Sequence, residues 1–191
     1  MSKIISINSG SSSLKFQLFQ MPEEIVLTSG NAERIGLEEG IFTIKVGNEK
    51  HSTKLPIPDH QAAVDILLES LVKYGIVKDL KEIKGAGHRI VQGGAYFDQS
   101  VKVDEDVVAK VDELCELAPL HNHAHLVCYY AFKRHFRISS TSSYSIQHST
   151  RQWVRKATCS RYRIPGTRTT RSAVTAHMEQ AINTLPTALL N

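Results

Sequence analysis

The chain has 191 residues, a hydrophobic content of 41% and a formal net charge of +4, enough for one domain with a proper core, or for one domain and a tail. The opening MSKIISINSG has too short an apolar run for a signal peptide, and no later run reaches bilayer length, so a cytoplasmic location without membrane contact is the expectation. Cys115, Cys128 and Cys159 share no C-x-x-C spacing, which argues against a disulfide framework or a zinc site.

In chain order, residues 3–8 (KIISIN) and 14–20 (LKFQLFQ) read as two strands, the second with Leu14, Phe16 and Leu18 alternating with Lys15 and Gln17 as a half-buried strand requires. The Gly/Ser stretch between them is then a hairpin turn. Further strands are expected around Ile25–Leu27 and Ile41–Val46, with a Gly-Asn turn at 47–48. Asp59 is placed to cap a helix over about 60–74, whose Ala63, Ile66, Leu67 and Leu71 share an apolar face and which Gly75 can close. "GAGHRIVQGG" (85–94) reads as a glycine-bounded strand, followed by helices over about 104–117 and after the "APLHN" turn, with Asn122 as a cap. Strands first and strand–helix alternation later predict an α/β domain on a mixed sheet.

Past this point the composition changes. Residues 1–133 hold 14 Lys/Arg against 18 Asp/Glu, whereas residues 134–191 hold nine basic residues and one acid, Glu179. The basic balance therefore belongs to the tail, which is rich in Ser and Thr and has no sustained period. Such a segment reads as a linker, a disordered basic arm or an artefact of the gene.

The turn in "INSGSSSLKF" (7–16) carries the first chemical signal. Gly and Ser leave backbone amides accessible and add hydroxyl donors such as Ser11 and Ser12, a set suited to phosphate oxygens. Lys15 adds a mobile cation, and Asn8 can offer an oxygen to hydrated Mg²⁺ or an amide to phosphate. A solvated hairpin that needs Gly and Ser only for its turn is the alternative. The P-loop pattern G-x-x-x-x-G-K-[ST] is absent, and a strand follows where a P-loop has a helix. In "HNHAH" (121–125), His121 and His125 are spaced i, i+4 and could share a helix face, but no third ligand is in evidence, which argues against a metal site.

"INSGSSSLKF" closely resembles the N-terminal signature of acetate kinases, in the acetate and sugar kinase, Hsp70 and actin superfamily. "GHRIVQGG" (87–94) and "LAPLHNHAHL" (117–126) follow in that family's order, with Gln92 where the family has His and His123 where it has Pro. The resemblance covers about residues 1–133. It implies a mixed-sheet, ribonuclease H-like (actin-like ATPase) N-terminal domain over 1–135 and reversible, Mg²⁺-dependent phosphoryl transfer from ATP to acetate, giving ADP and acetyl phosphate. Mn²⁺ is an expected substitute for Mg²⁺, and a homodimer is the intact family's assembly. By motif, the resemblance makes Asn8 a metal-linked residue, Lys15 with Ser11 and Ser12 contacts to ATP, and Arg89 a contact to acetate or the transferring phosphoryl group. His88 is read as a packed strand residue.

The family should continue with D-T-A-F-H-Q-T-M, whose Asp is catalytic, and later H-G-T-S-H; neither string is in the chain. The genetic code offers a test, taking the third base of each codon with the first two of the next. Across Met178–Glu179 the shifted codon is GGA, Gly, and the junctions from His177 to Ile182 permit H-G-T-S-H. Residues 145–154 (SIQHSTRQWV) permit D-T-A-F-H-Q-T-M-G, the last Gly forced at Trp153–Val154. The expectation is that 136–191 is a frameshifted, non-native and disordered tail, that the catalytic Asp is lost, and that the chain as it stands is inactive.

Two competing expectations are a propionate or butyrate kinase and a non-enzymatic protein whose basic tail binds nucleic acid through phosphates. The hidden frame already accounts for the tail's charge, which ranks nucleic-acid binding well below the kinase.

Overall fold

The computed structural model describes residues 2–90, 96–97, 101–115, 119–135 and 143–148. Five strands open the chain: β1 (Ser2–Ser9), β2 (Ser13–Met21), β3 (Ile25–Glu33), β4 (Gly40–Val46) and β5 (Glu49–Leu55). Then come α1 (His60–Lys73), a 3-10 turn (Leu80–Glu82), β6 (Ile83–Ile90), β7 (Val101–Lys102), α2 (Glu105–Glu113), α3 (Pro119–His135) and β8 (Ser143–His148). The strands form one sheet in the order β5-β4-β3-β2-β1-β6-β8-β7. β1/β6 and β6/β8 are parallel and the other pairs antiparallel. This is the mixed α/β sheet that the element order predicts.

Alternation along β1 and β2 sends their residues to two faces. Ile5, Ile7, Leu14, Phe16 and Leu18 are at most 2% exposed and pack with α1 and α3, each such side chain contributing about 1.5–3 kcal/mol. Phe16 and Phe42 stack across this face at 6.1 Å. Gly30 lies opposite Phe16, and a Cβ there would stand 2.6 Å from its ring and 2.2 Å from the Thr43 carbonyl. A smaller cluster joins Ile90, Phe97, Val107, Val111, Leu114 and Leu126. Asp59 caps α1 by accepting the Ala62 amide at 2.8 Å, and Gly75 closes it at φ +67°, as expected. Lys3 ties β1 to the entry of β6 by donating to the Ile76 carbonyl and to Glu82.

Several boundaries differ from the expectations. β3 runs on to Glu33 through polar residues, and the polar β5 has no apolar alternation to announce it; backbone pairing with β2 and β4 holds them in the sheet. α2 ends at Glu113, four residues early, and α3 begins at Pro119 rather than after Asn122, since proline's fixed φ suits a first helical turn. β6 begins at Ile83 and ends at Ile90; 91–94 lie outside the described residues. β8 falls within the segment expected to be a disordered tail, and there the chain forms a strand parallel to β6. An unpaired edge on β6 is a template for any extended segment. The rest of 136–191, including Cys159, lies outside the described residues.

Candidate active site

β1 and β2 meet in the turn that the sequence singles out. The Gly10 amide donates to the Ser13 carbonyl at 2.7 Å and the Ile35 amide to the Ser12 carbonyl at 3.0 Å. Gly10 is therefore not one of the free amide donors that the Gly/Ser composition suggests. A Cβ there would stand 3.1 Å from Ser13 Oγ, a contact that a small rotation of the Ser13 hydroxyl relieves. Ser11 and Ser12 are exposed at the tip and supply the donors that remain.

Asn8 and Lys15 are direct cross-strand partners, so their Cβ atoms are about 5 Å apart on one face. Ile7 pairs with His88 on the neighbouring β6, and one step along each strand brings Asn8 and Arg89 together on the opposite face. Asn8, Lys15 and Arg89 thus share the face of the sheet turned away from the Ile5–Phe16 core, on three adjacent strands. On this face β6 presents Gly87 opposite Ser6 and Gly85 opposite Ile4, so no β6 side chain fills those positions.

Electrostatics single out the same face. Lys15 is exposed, with no carboxylate within ion-pair distance among the described residues. Arg89 is half-buried, and burial pulls its pKa below the ordinary value, though a guanidinium stays charged. Its Nε is buried without a hydrogen-bond partner among the described residues, as is Gln17 Oε1. Gln17 is cross-strand from Ser6, one pair inward from Lys15 on this same face. Orphaned buried polar atoms are costly, and an ordered water or a polar ligand can satisfy them. Sequence analysis did not single out Gln17, although the β2 alternation places it beside Lys15.

The donor set suits a ligand with several anionic oxygens: a planar guanidinium, an ammonium and the hydroxyls of a small turn. For a magnesium ion, Asn8 would offer one oxygen, and no cluster of three or more His, Cys, Asp or Glu side chains gathers among the described residues. That chemistry fits Mg²⁺ carried in on nucleotide phosphates rather than a protein cage.

The other motif residues serve the opposite face. His88 is 3% exposed, edge-on to Tyr129 and Phe132, and burial lowers its pKa to about 4. His125 is bonded to Ser9 rather than turned toward a metal. A cavity of about 330 Å³ also lies on the helix-bearing side, between α1 and β4–β5, with Phe42, Ile44 and Leu55 among its walls and the His51 and Tyr74 rings stacked at 4.8 Å. No helix among the described residues is long and apolar enough to cross a membrane.

The profile described as the acetokinase family matches residues 3–145. The acetate kinases of Geobacillus kaustophilus and Bacillus mycoides are 56% and 59% identical over 133 residues, 70% of this chain and 34% of each relative. The chain thus spans about a third of the length of these curated relatives. Among solved structures, Porphyromonas gingivalis acetate kinase superposes with a TM-score of 0.72 at 37% identity, covering 78% of this chain and 38% of that one. A propionate kinase from Francisella tularensis gives 0.68 at 31% identity, covering 78% and 37%. These neighbours have the actin-like ATPase fold that the motifs imply. By its sequence, its sheet and its turn, the chain belongs to the acetokinase family.

Proposed function

We propose that this chain is the N-terminal part of an acetate kinase, a cytoplasmic, homodimeric enzyme that transfers a phosphoryl group reversibly between ATP and acetate. The observation that carries the reading is the shared face of Asn8, Lys15 and Arg89 beside the Ser11–Ser12 turn. Lys15 and the two serines bind nucleotide phosphates. Arg89 engages the acetate carboxylate or the transferring group through two parallel N–H donors, and its orphaned Nε supports a ligand there. Asn8 holds the metal, Mg²⁺ with Mn²⁺ as a substitute, which when bound neutralises phosphate charge. Fixed cations and N–H donors suit this chemistry because the transition state spreads negative charge over equatorial oxygens. The propionate kinase neighbour keeps propionate as a second acceptor to assay.

Residues 1–135 form the native portion, and the sequence from about 136 onward is translated out of frame. The 191-residue chain therefore has little or no kinase activity, because the catalytic Asp and the H-G-T-S-H segment are not in it and catalysis requires those groups placed together. Resequencing across codons 134–140 and assaying the frame-restored gene beside the present chain tests both statements. Acetyl phosphate, trapped as its hydroxamate, is expected from the restored protein only. A restored protein that phosphorylates neither acetate nor propionate contradicts the reading.

A further inference from the structure

We propose that His60 and His125 are positioning residues that clamp the Gly10 turn from beneath; the inference rests on the phosphate-binding reading of that turn. His60, the first residue of α1, donates its Nε2–H to the Gly10 carbonyl at 2.7 Å. His125, on α3, bonds through Nδ1 to Ser9 Oγ at 2.9 Å, with both side chains at most 3% exposed. Two histidines, 50 and 116 residues away in sequence, thus grip consecutive residues of one turn.

Packing does not require this arrangement. Ser9 and His125 stand where sheet meets helix in an interface otherwise built from Ile7, Leu14, Leu67 and Phe132, and burying polar groups there costs more than burying apolar ones. What the polar pairs add is direction. A turn of Gly and Ser has many accessible conformations, and a phosphate site works only if its donors are already aimed. With the Gly10 carbonyl and Ser9 Oγ held from the helix side and the Ser12 carbonyl held by the Ile35 amide, Ser11 and Ser12 are left to face a ligand.

The test compares His60→Leu and His125→Leu with His60→Gln and His125→Asn, which keep a polar nitrogen near the bonded position. Amide hydrogen exchange reads the turn, and titration with Mg·ATP reads binding. Each Leu variant is expected to speed exchange at Gly10 and Ile35 by about tenfold or more while leaving the β4–β5 amides unchanged, and to weaken Mg·ATP by about fivefold or more. The Gln and Asn variants are expected to stay close to the parent in both. Unchanged turn exchange in the Leu variants, or faster exchange spread evenly over β1–β5, overturns the clamp. If the frame-restored protein binds no Mg·ATP while the turn amides respond as stated, the clamp stands and the proposed function fails.

Discussion

Asn8 and Lys15 face each other across the β1–β2 hairpin, and the pairing of Ile7 with His88 carries Arg89 onto their side of the sheet. An amide, an ammonium and a guanidinium come from positions up to 81 residues apart in sequence because two strand pairings share one alternation. The opposite parity supplies the core. A shift of one residue in β1/β6 would move Arg89 into the helix interface and His88 out of it.

In the proposed function Lys15 and Arg89 have separable roles. Lys15 is exposed, so Lys15→Ala is expected to leave the melting temperature nearly unchanged and to weaken Mg·ATP binding by about tenfold, as loss of a charge-assisted contact does. Arg89→Lys keeps charge but loses the planar fork, and is expected to impair the acetate side in the frame-restored enzyme. Equilibrium titration and steady-state kinetics check the two; an Arg89→Lys enzyme with parental acetate KM and kcat would remove Arg89 from the acceptor site.

Much of this arrangement is legible in the sequence, because it depends on local alternation. Leu14, Phe16 and Leu18 against Lys15 and Gln17 announce both β2 and the face on which Lys15 lies. Asp59 and Gly75 mark both ends of α1 by chemistry the backbone needs. β5 is different: Glu49–Leu55 is polar at nearly every position, and edge pairing leaves no apolar signature. Nor does composition reveal that the Gly10 amide is consumed inside the turn, or that His60 and His125 lie beneath it, since contacts across 50 and 116 residues have no local pattern.

His88 makes stability depend on pH. Its pKa falls from 6.5 to about 4 in the folded chain because burial disfavours the imidazolium, so between those values the unfolded state binds more protons. Stability is then full above about pH 6.5, falls as pH drops and levels off below about pH 4, a loss of about 3 kcal/mol. Urea unfolding from pH 7 to pH 4 measures it, and His88→Phe is expected to flatten this part of the profile. A parent and variant with equal slopes would contradict the assignment.

Gly30 is required by the Phe16 ring and the Thr43 carbonyl. Gly30→Ala is expected to destabilise the chain by about 1–3 kcal/mol through overpacking, read as a lower urea midpoint. No change in midpoint would mean that β3 and β4 separate freely at this position.

Limited proteolysis bears on the translated frame. If the sequence from about 136 onward is out of frame, as proposed, cleavage is expected throughout residues 149–191, with fragments ending near β8 persisting. A protease-resistant species that retains residues 149–191 would argue that the tail is part of the fold.

The most direct measurement records NMR signals of the Ser11 and Ser12 amides and the Arg89 Nε–H during one titration with Mg·ATP and acetate. The account predicts that all three move along a common saturation curve and that Lys15→Ala shifts that curve to higher nucleotide concentration. Signals that stay fixed while those of His51 and Tyr74, on the other side of the sheet, respond would contradict it.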